Sequence, residues 1–186
     1  MDKSEQLTKD FESNVIANTV RSIRLYHVND TFTQSSKAKC HLIDGGIEIG
    51  LDNYSFGIFW NYDDEIYNWF ENPTISKFEE NDFKNVELSE LINPVDFIDY
   101  KITKADLIWE YYQNADYEGN PISKKNFVPL QIHLKFENNS ELLIALVAYD
   151  YDKSKGGAYA FRFDLLECEI LISSESDGEI KNANKK

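Results

Sequence analysis

The sequence predicts an α+β fold: a largely antiparallel β-sheet of about six to eight strands, built from two related halves, with a few short helices. Three observations predict it. The stretch IEIGLDNYS at residues 47–55 recurs as IHLKFENNS at residues 132–140, with every aligned position offset by 85. Both copies alternate apolar and polar side chains up to a turn pair, the period-2 pattern of a strand with one buried face. These hairpins do not alternate with long helical segments, which argues against a doubly wound parallel sheet.

Taken in order, residues 6–18 place Leu7, Phe11, Val15 and Asn18 at helical spacing, with Ser4 available as an N-cap, and predict a short leading helix. Residues 20–28, VRSIRLYHV, are rich in β-branched and aromatic side chains and predict a strand, followed by a polar loop at 29–39. Ile47, Ile49 and Leu51 then alternate with Glu48, Gly50 and Asp52, Asp52-Asn53 turns the chain, and YSFGIFW returns it. Asn and Asp tolerate left-handed backbone angles and bond their own main chain, so this pair between two apolar runs marks a turn. In the second copy Ile132, Leu134 and Phe136 alternate with His133, Lys135 and Glu137, and Asn138-Asn139 turns the chain. Its return run, ELLIALVAY, is apolar at nearly every position, as a strand covered on both faces must be.

The likeness reaches upstream, where Val20, Leu25 and Tyr26 match Ile102, Leu107 and Ile108 at an offset of 82. Each half therefore reads as strand, long polar loop and hairpin, repeated over residues 19–62 and 101–149, with the change of offset absorbed in the loops. An acidic connector, 63–99, joins them. Within it residues 85–92 predict a short helix ahead of Pro94, and Pro73 interrupts the earlier part. A loop around Gly157, one or two further strands and a polar, frayed tail at 174–186 complete the chain. No Gly/Ser-rich linker separates the halves, which predicts a single domain, 1–186, with one continuous sheet.

The chemistry-bearing residues are sparse. Cys40 and Cys168 are the only cysteines, too few for a disulfide framework or a zinc site, and read as reduced core thiols. His27, His41 and His133 show no ligand spacing, and His133 falls on the strand face opposite Ile132 and Leu134, which predicts exposure. Asp150, Asp152 and Gly156 echo a calcium loop, but the glycine falls one position late and Phe161 stands where a bidentate Glu is needed. No nucleophile elbow, phosphate-binding glycine loop or close Cys–His pair is present, so the expectation is a protein that is not an enzyme and holds no cofactor or metal.

Charge is more informative. The 186 residues carry 33 acidic against 19 basic side chains, a net charge of −14, which disfavours nucleic acid and anionic membranes as partners and favours a basic protein. The first residues hold no apolar stretch after their charges and no window is long and apolar enough to span a bilayer, so a cytoplasmic location is expected. Residues 63–99 hold eleven of the acids and two lysines, together with several aromatics. Carboxylates steer a basic partner and aromatics anchor it. On that ground Asp63, Asp64, Glu65, Glu79, Glu80 and Asp82 are the candidate steering residues, with Trp69 and Phe70 as anchors.

In size, acidity and lack of catalytic motifs the chain resembles the immunity proteins of bacterial toxin systems. The resemblance implies a non-catalytic protein that neutralises a basic cognate toxin, possibly a nuclease. The alternative is a small-ligand-binding or enzymatic domain with its site between the two halves, where duplicated folds offer a cleft.

Overall fold

The computed structural model describes residues 2–27, 33–35, 40–61, 66–73, 84–86, 96–155, 157–165 and 168–174. Among them one α-helix, α1 (Lys3–Val15), precedes β1 (Val20–His27), β2 (Thr33–Ser35), β3 (Cys40–Ile43), β4 (Gly46–Leu51), β5 (Ser55–Asn61) and β6 (Ile66–Glu71). There follow β7 (Lys84–Val86), β8 (Ile102–Tyr112), β9 (Asn126–Phe136), β10 (Glu141–Asp152), a single 3-10 turn at Lys153–Lys155, β11 (Gly157–Phe163) and β12 (Glu169–Ser173).

Every named strand pair is antiparallel, as expected, but the strands form two sheets rather than one continuous one. The first runs β6-β5-β4-β1-β7; the second runs β2-β3-β12-β10-β9-β8, with β11 pairing onto β10. The described residues form twelve strands rather than the six to eight expected: the loop at 29–39 contains β2, β3 follows it, and the connector contains both β6 and β7. Lys84–Val86 pairs with His27–Leu25 of β1, so the helix expected from residue 85 does not begin there. The rest of that expectation, residues 87–92, lies outside the described residues, as does the tail at 175–186.

The inner faces of the two sheets enclose one apolar core. Alternation decides which side chains enter it: Ile47, Ile49 and Ile58 from the first sheet meet Ile132, Leu134 and Ile144 from the second, all essentially without solvent contact. The other face of β10 is buried too, with Leu143, Ala145 and Val147 covered by Phe161 and Phe163 of β11. The uninterrupted apolar run of β10 is thus explained. Helix α1 closes the sandwich by placing Leu7, Phe11 and Val15 on one stripe; the Phe11 ring meets Phe56 edge-on at 4.8 Å and Trp69 at 5.5 Å. Its N-cap is Asp2 rather than Ser4, and no side chain caps the first turn. The helix is held by its buried stripe, and Phe11→Ala should cost about 3–5 kcal/mol.

Each half contributes a three-stranded unit to a different sheet, β5-β4-β1 to one and β10-β9-β8 to the other. Their registers coincide under the sequence alignment. Val20 faces Leu51 as Ile102 faces Phe136, and Leu25 faces Ile47 as Leu107 faces Ile132. Each first strand also carries one extra residue at the matching place, Arg21 in β1 and Thr103 in β8.

The units meet where these strands begin, through reciprocal backbone hydrogen bonds. Ala17 N–H donates to Ile102 O at 2.8 Å, and its counterpart Asp99 N–H donates to Val20 O at 2.8 Å. Ile102 N–H donates to Asn18 O at 3.0 Å, and Val20 N–H to Tyr100 O at 3.0 Å. Ala17 and Asp99 share a left-handed backbone, with φ of 70° and 67°. Asp52 accepts from Thr19 N–H as Glu137 accepts from Lys101 N–H. The hairpin turns differ: Leu51 N–H bonds Tyr54 O, whereas Phe136 N–H reaches one residue further, to Ser140 O.

Outside the core face of the first sheet, Phe59 lies flat over two glycines. A Cβ on Gly46 would sit 2.4 Å from its ring, and one on Gly57 would sit 2.4 Å from the ring and 2.6 Å from Ile47 O. Only glycine permits that approach.

Candidate functional site

Of the residues singled out by charge, Asp63, Asp64, Glu65, Glu79, Glu80 and Asp82 lie outside the described residues. Trp69 and Phe70 are neighbours on β6, so the period of the strand points them to opposite faces. Trp69 is largely a packing residue, its ring 5.5 Å from each of Phe11, Phe56 and Trp109. Phe70 packs edge-on against Phe59 at 5.9 Å. Both still border one open groove of about 420 Å³, whose other walls include Lys3 of α1, Lys125, and Phe127 of β9.

The second site is an arm. Beyond the pair Leu107↔Ile132, where the first half's equivalent strands are about to end, β8 and β9 continue as far as Tyr112↔Asn126. Pro129 lacks the N–H that the ladder needs, and the register shifts beside it, between Ile108 and Trp109. Large apolar side chains stand out from this arm: Ile108, Tyr111, Tyr117 and Ile122 are exposed by 52%, 41%, 96% and 68%. Such exposure is costly unless the surface is used.

The tip is nevertheless ordered. Asp116 Oδ1 accepts from Glu118 N–H at 2.9 Å and Asn120 N–H at 2.8 Å, while Asn120 Nδ2 donates to Asp116 Oδ2 at 3.1 Å. Those donors hold the Asp116 carboxyl below its ordinary range, the Asn120 backbone N–H contributing most. Tyr117 is therefore presented on a pinned turn between two carboxylates. Residues 105–123 contain four acidic side chains, Asp106, Glu110, Asp116 and Glu118, and no basic one. Two lysines, Lys124 and Lys125, follow. The arm extends the acidic-plus-aromatic character expected of the connector to a place that composition by segment had not marked.

A third cluster is interior. At the end of β1, His27 Nδ1 lies 2.7 Å from Asp44 Oδ1, and the imidazole is only 4% exposed. Tyr149 OH donates to Glu169 Oε1 at 2.7 Å. Burial is the main cause that pushes the Glu169 carboxyl up; the Tyr149 hydrogen bond opposes it, Asp44 adds to it and His27 counters it. Burial likewise raises the Tyr67 hydroxyl well above its usual value, and the Cys168 thiol to about 12. An imidazole oriented by a carboxylate beside a second carboxyl has the parts of a general acid–base pair. Here the imidazole is buried while Asp44 is 23% exposed, and the bonds are structural: His27 of β1 is held to Asp44, and Tyr149 of β10 to Glu169 of β12.

The remaining histidines have structural surroundings. His133 is partly buried rather than exposed, its Nε2 3.0 Å from Glu141 Oε2, while Glu141 Oε1 accepts from Lys135. Burial holds the His41 imidazole below its ordinary value. At the acidic end of β10, Asp152 accepts from Ser154 N–H and Oγ, and Asp150 pairs with Arg162 at 3.4 Å. Among the described residues no group of carboxylates, histidines and cysteines is arranged to hold a metal, and no helix is long and apolar enough to cross a membrane.

The chain matches no protein-family model, no curated protein and no solved structure.

Proposed function

We propose that the chain is a non-catalytic protein-binding protein whose partner is basic, and that it acts as immunity proteins do, by occluding a toxin. The observation that carries this reading is the pinned, 96% exposed Tyr117 between Asp116 and Glu118 at the tip of a projecting hairpin. Tyrosine is enriched among interface hot spots because it buries a large rigid surface at low entropic cost, and flanking carboxylates steer a cationic partner toward it. The net charge of −9 over residues 63–99 acts at longer range, with Asp63, Asp64, Glu65, Glu79, Glu80 and Asp82 as steering residues. The matching registers of the two halves favour a duplicated origin for the scaffold that carries the arm.

A photo-crosslinking residue placed at position 117 and activated in the native cell tests the reading. The expected product is a single adduct with a basic protein, lost in Ile122→Ala and weakened at high salt. Adducts with no basic protein above background overturn it.

A further inference from the structure

We infer that the groove between the halves is a binding site for a small organic anion carrying a flat ring, separate from the partner surface at the arm's tip. The groove measures about 420 Å³, within the range of small-molecule sites. One side is built by Trp69 and Phe70 of β6, the opposite side by Phe127 of β9, and a lysine approaches from each of two elements, Lys3 from α1 and Lys125 from the arm.

The charge runs against that of the molecule. In a chain with 33 acidic and 19 basic residues, this groove is bordered, among the described residues, by two ammonium groups and no carboxylate. Instead of pairing with acids, Lys3 Nζ lies 4.7 Å from the centre of the Phe127 ring, and Lys125 Nζ lies 3.8 Å from that of Tyr111. Ring faces hold an ammonium far more weakly than a carboxylate or phosphate does, so both cations can turn to an anion at small cost.

The aromatic walls fix the other half of the ligand. Trp69 is immobilised by its three ring neighbours, so stacking on it costs little ordering. Asn68 also lines the groove; its Oδ1 accepts from Tyr112 OH at 2.6 Å, so what it has left to offer a ligand is its amide N–H groups. A flat ring between Trp69 and Phe127 with its anionic group between the lysines satisfies all of these groups. The site is open, so micromolar to millimolar affinity is the expectation.

Phenyl phosphate is the probe, titrated into the full chain while the side-chain amide resonances of Asn68 and Asn126 are followed by NMR. The expected result is saturable binding, at least tenfold tighter than that of inorganic phosphate or of phenol. Affinity should fall about tenfold or more in Lys3→Gln/Lys125→Gln and recover in Lys3→Arg/Lys125→Arg, which keeps both charges on surface residues that the core does not need. No saturable shift up to millimolar probe, equal binding of phenol, or unchanged affinity in the glutamine pair would each overturn the inference.

Discussion

The two three-stranded units share a backbone frame and differ in what extends from it. In the first, β1, β4 and β5 contain 8, 6 and 7 residues; in the second, β8, β9 and β10 contain 11, 11 and 12. Register pairs, extra residues and reciprocal hydrogen bonds coincide up to Tyr26↔Gly46 and Ile108↔Gln131, and beyond that point only the second unit's pairing continues. On its core face the shared part is buried and apolar, so those positions answer to packing. The unshared part stands in solvent with large apolar side chains, which packing does not demand.

The largest effects should fall equally on both halves of the frame. Ile47→Ala and Ile132→Ala, equivalent and both almost wholly buried, should each cost about 2–5 kcal/mol in denaturant unfolding. A cost confined to one of them would break the equivalence. On the arm the signature is reversed: Tyr117→Ala should leave stability within about 0.5 kcal/mol of the parent while weakening capture of the partner by roughly 30-fold, the scale of a hot-spot residue.

Next in size is Gly57→Ala. Its methyl must displace both Phe59 and a backbone oxygen, so a loss of about 1–3 kcal/mol is expected. In the second unit Ala145 faces Gln131 where Phe59 faces Gly46 in the first, so the glycine requirement belongs to the first unit.

A smaller effect concerns the paired left-handed residues. Ala17→Gly removes the steric cost of a φ of 70° and should stabilise the fold by about 0.5–1 kcal/mol, measured by thermal or denaturant unfolding. Asp99→Gly should gain less, because Asp99 also accepts from Arg21 Nη1 at 2.7 Å.

Glu169 offers a pH test. Its carboxyl titrates higher in the folded chain than in the unfolded one, so the folded state holds the proton more firmly. Stability therefore falls as pH rises from the unfolded value through the raised folded one. Glu169→Gln, which keeps an acceptor for Tyr149 OH, should flatten that fall and leave stability at neutral pH equal or slightly higher. A steeper loss at neutral pH would contradict the assignment.

Much of this architecture is legible in the sequence, for definite reasons. The period-2 runs at Ile47–Leu51 and Ile132–Phe136 locate strands because one face of each is buried. The repeated offset finds the two units because their frames really do share register. Alternation cannot say whether two such units lie side by side or face to face, since each has one buried face either way, and the single continuous sheet expected became two. The segment at Lys84–Val86 is too short for its period to decide between helix and strand, and its pairing with β1 is a tertiary fact.

The candidate sites were less legible. Trp69 and Phe70 are adjacent on a strand and point apart, and a groove at the strand's edge borders both. Tyr117 lies outside the most acidic segment, and its exposure depends on how far β8 and β9 outrun their counterparts. The proximity of His27 and Asp44 to Glu169 joins residues from opposite ends of the chain, for which no local spacing exists.

The most direct measurement replaces residues 114–123, the tip of the arm, with an Asn-Gly turn and compares melting and partner capture with the parent chain. If the frame is scaffold and the arm is the recognition surface, the shortened protein melts within a few degrees of the parent and its capture of the basic partner falls by roughly 30-fold or more. A shortened protein that stays folded and captures the partner as well as the parent would contradict that division.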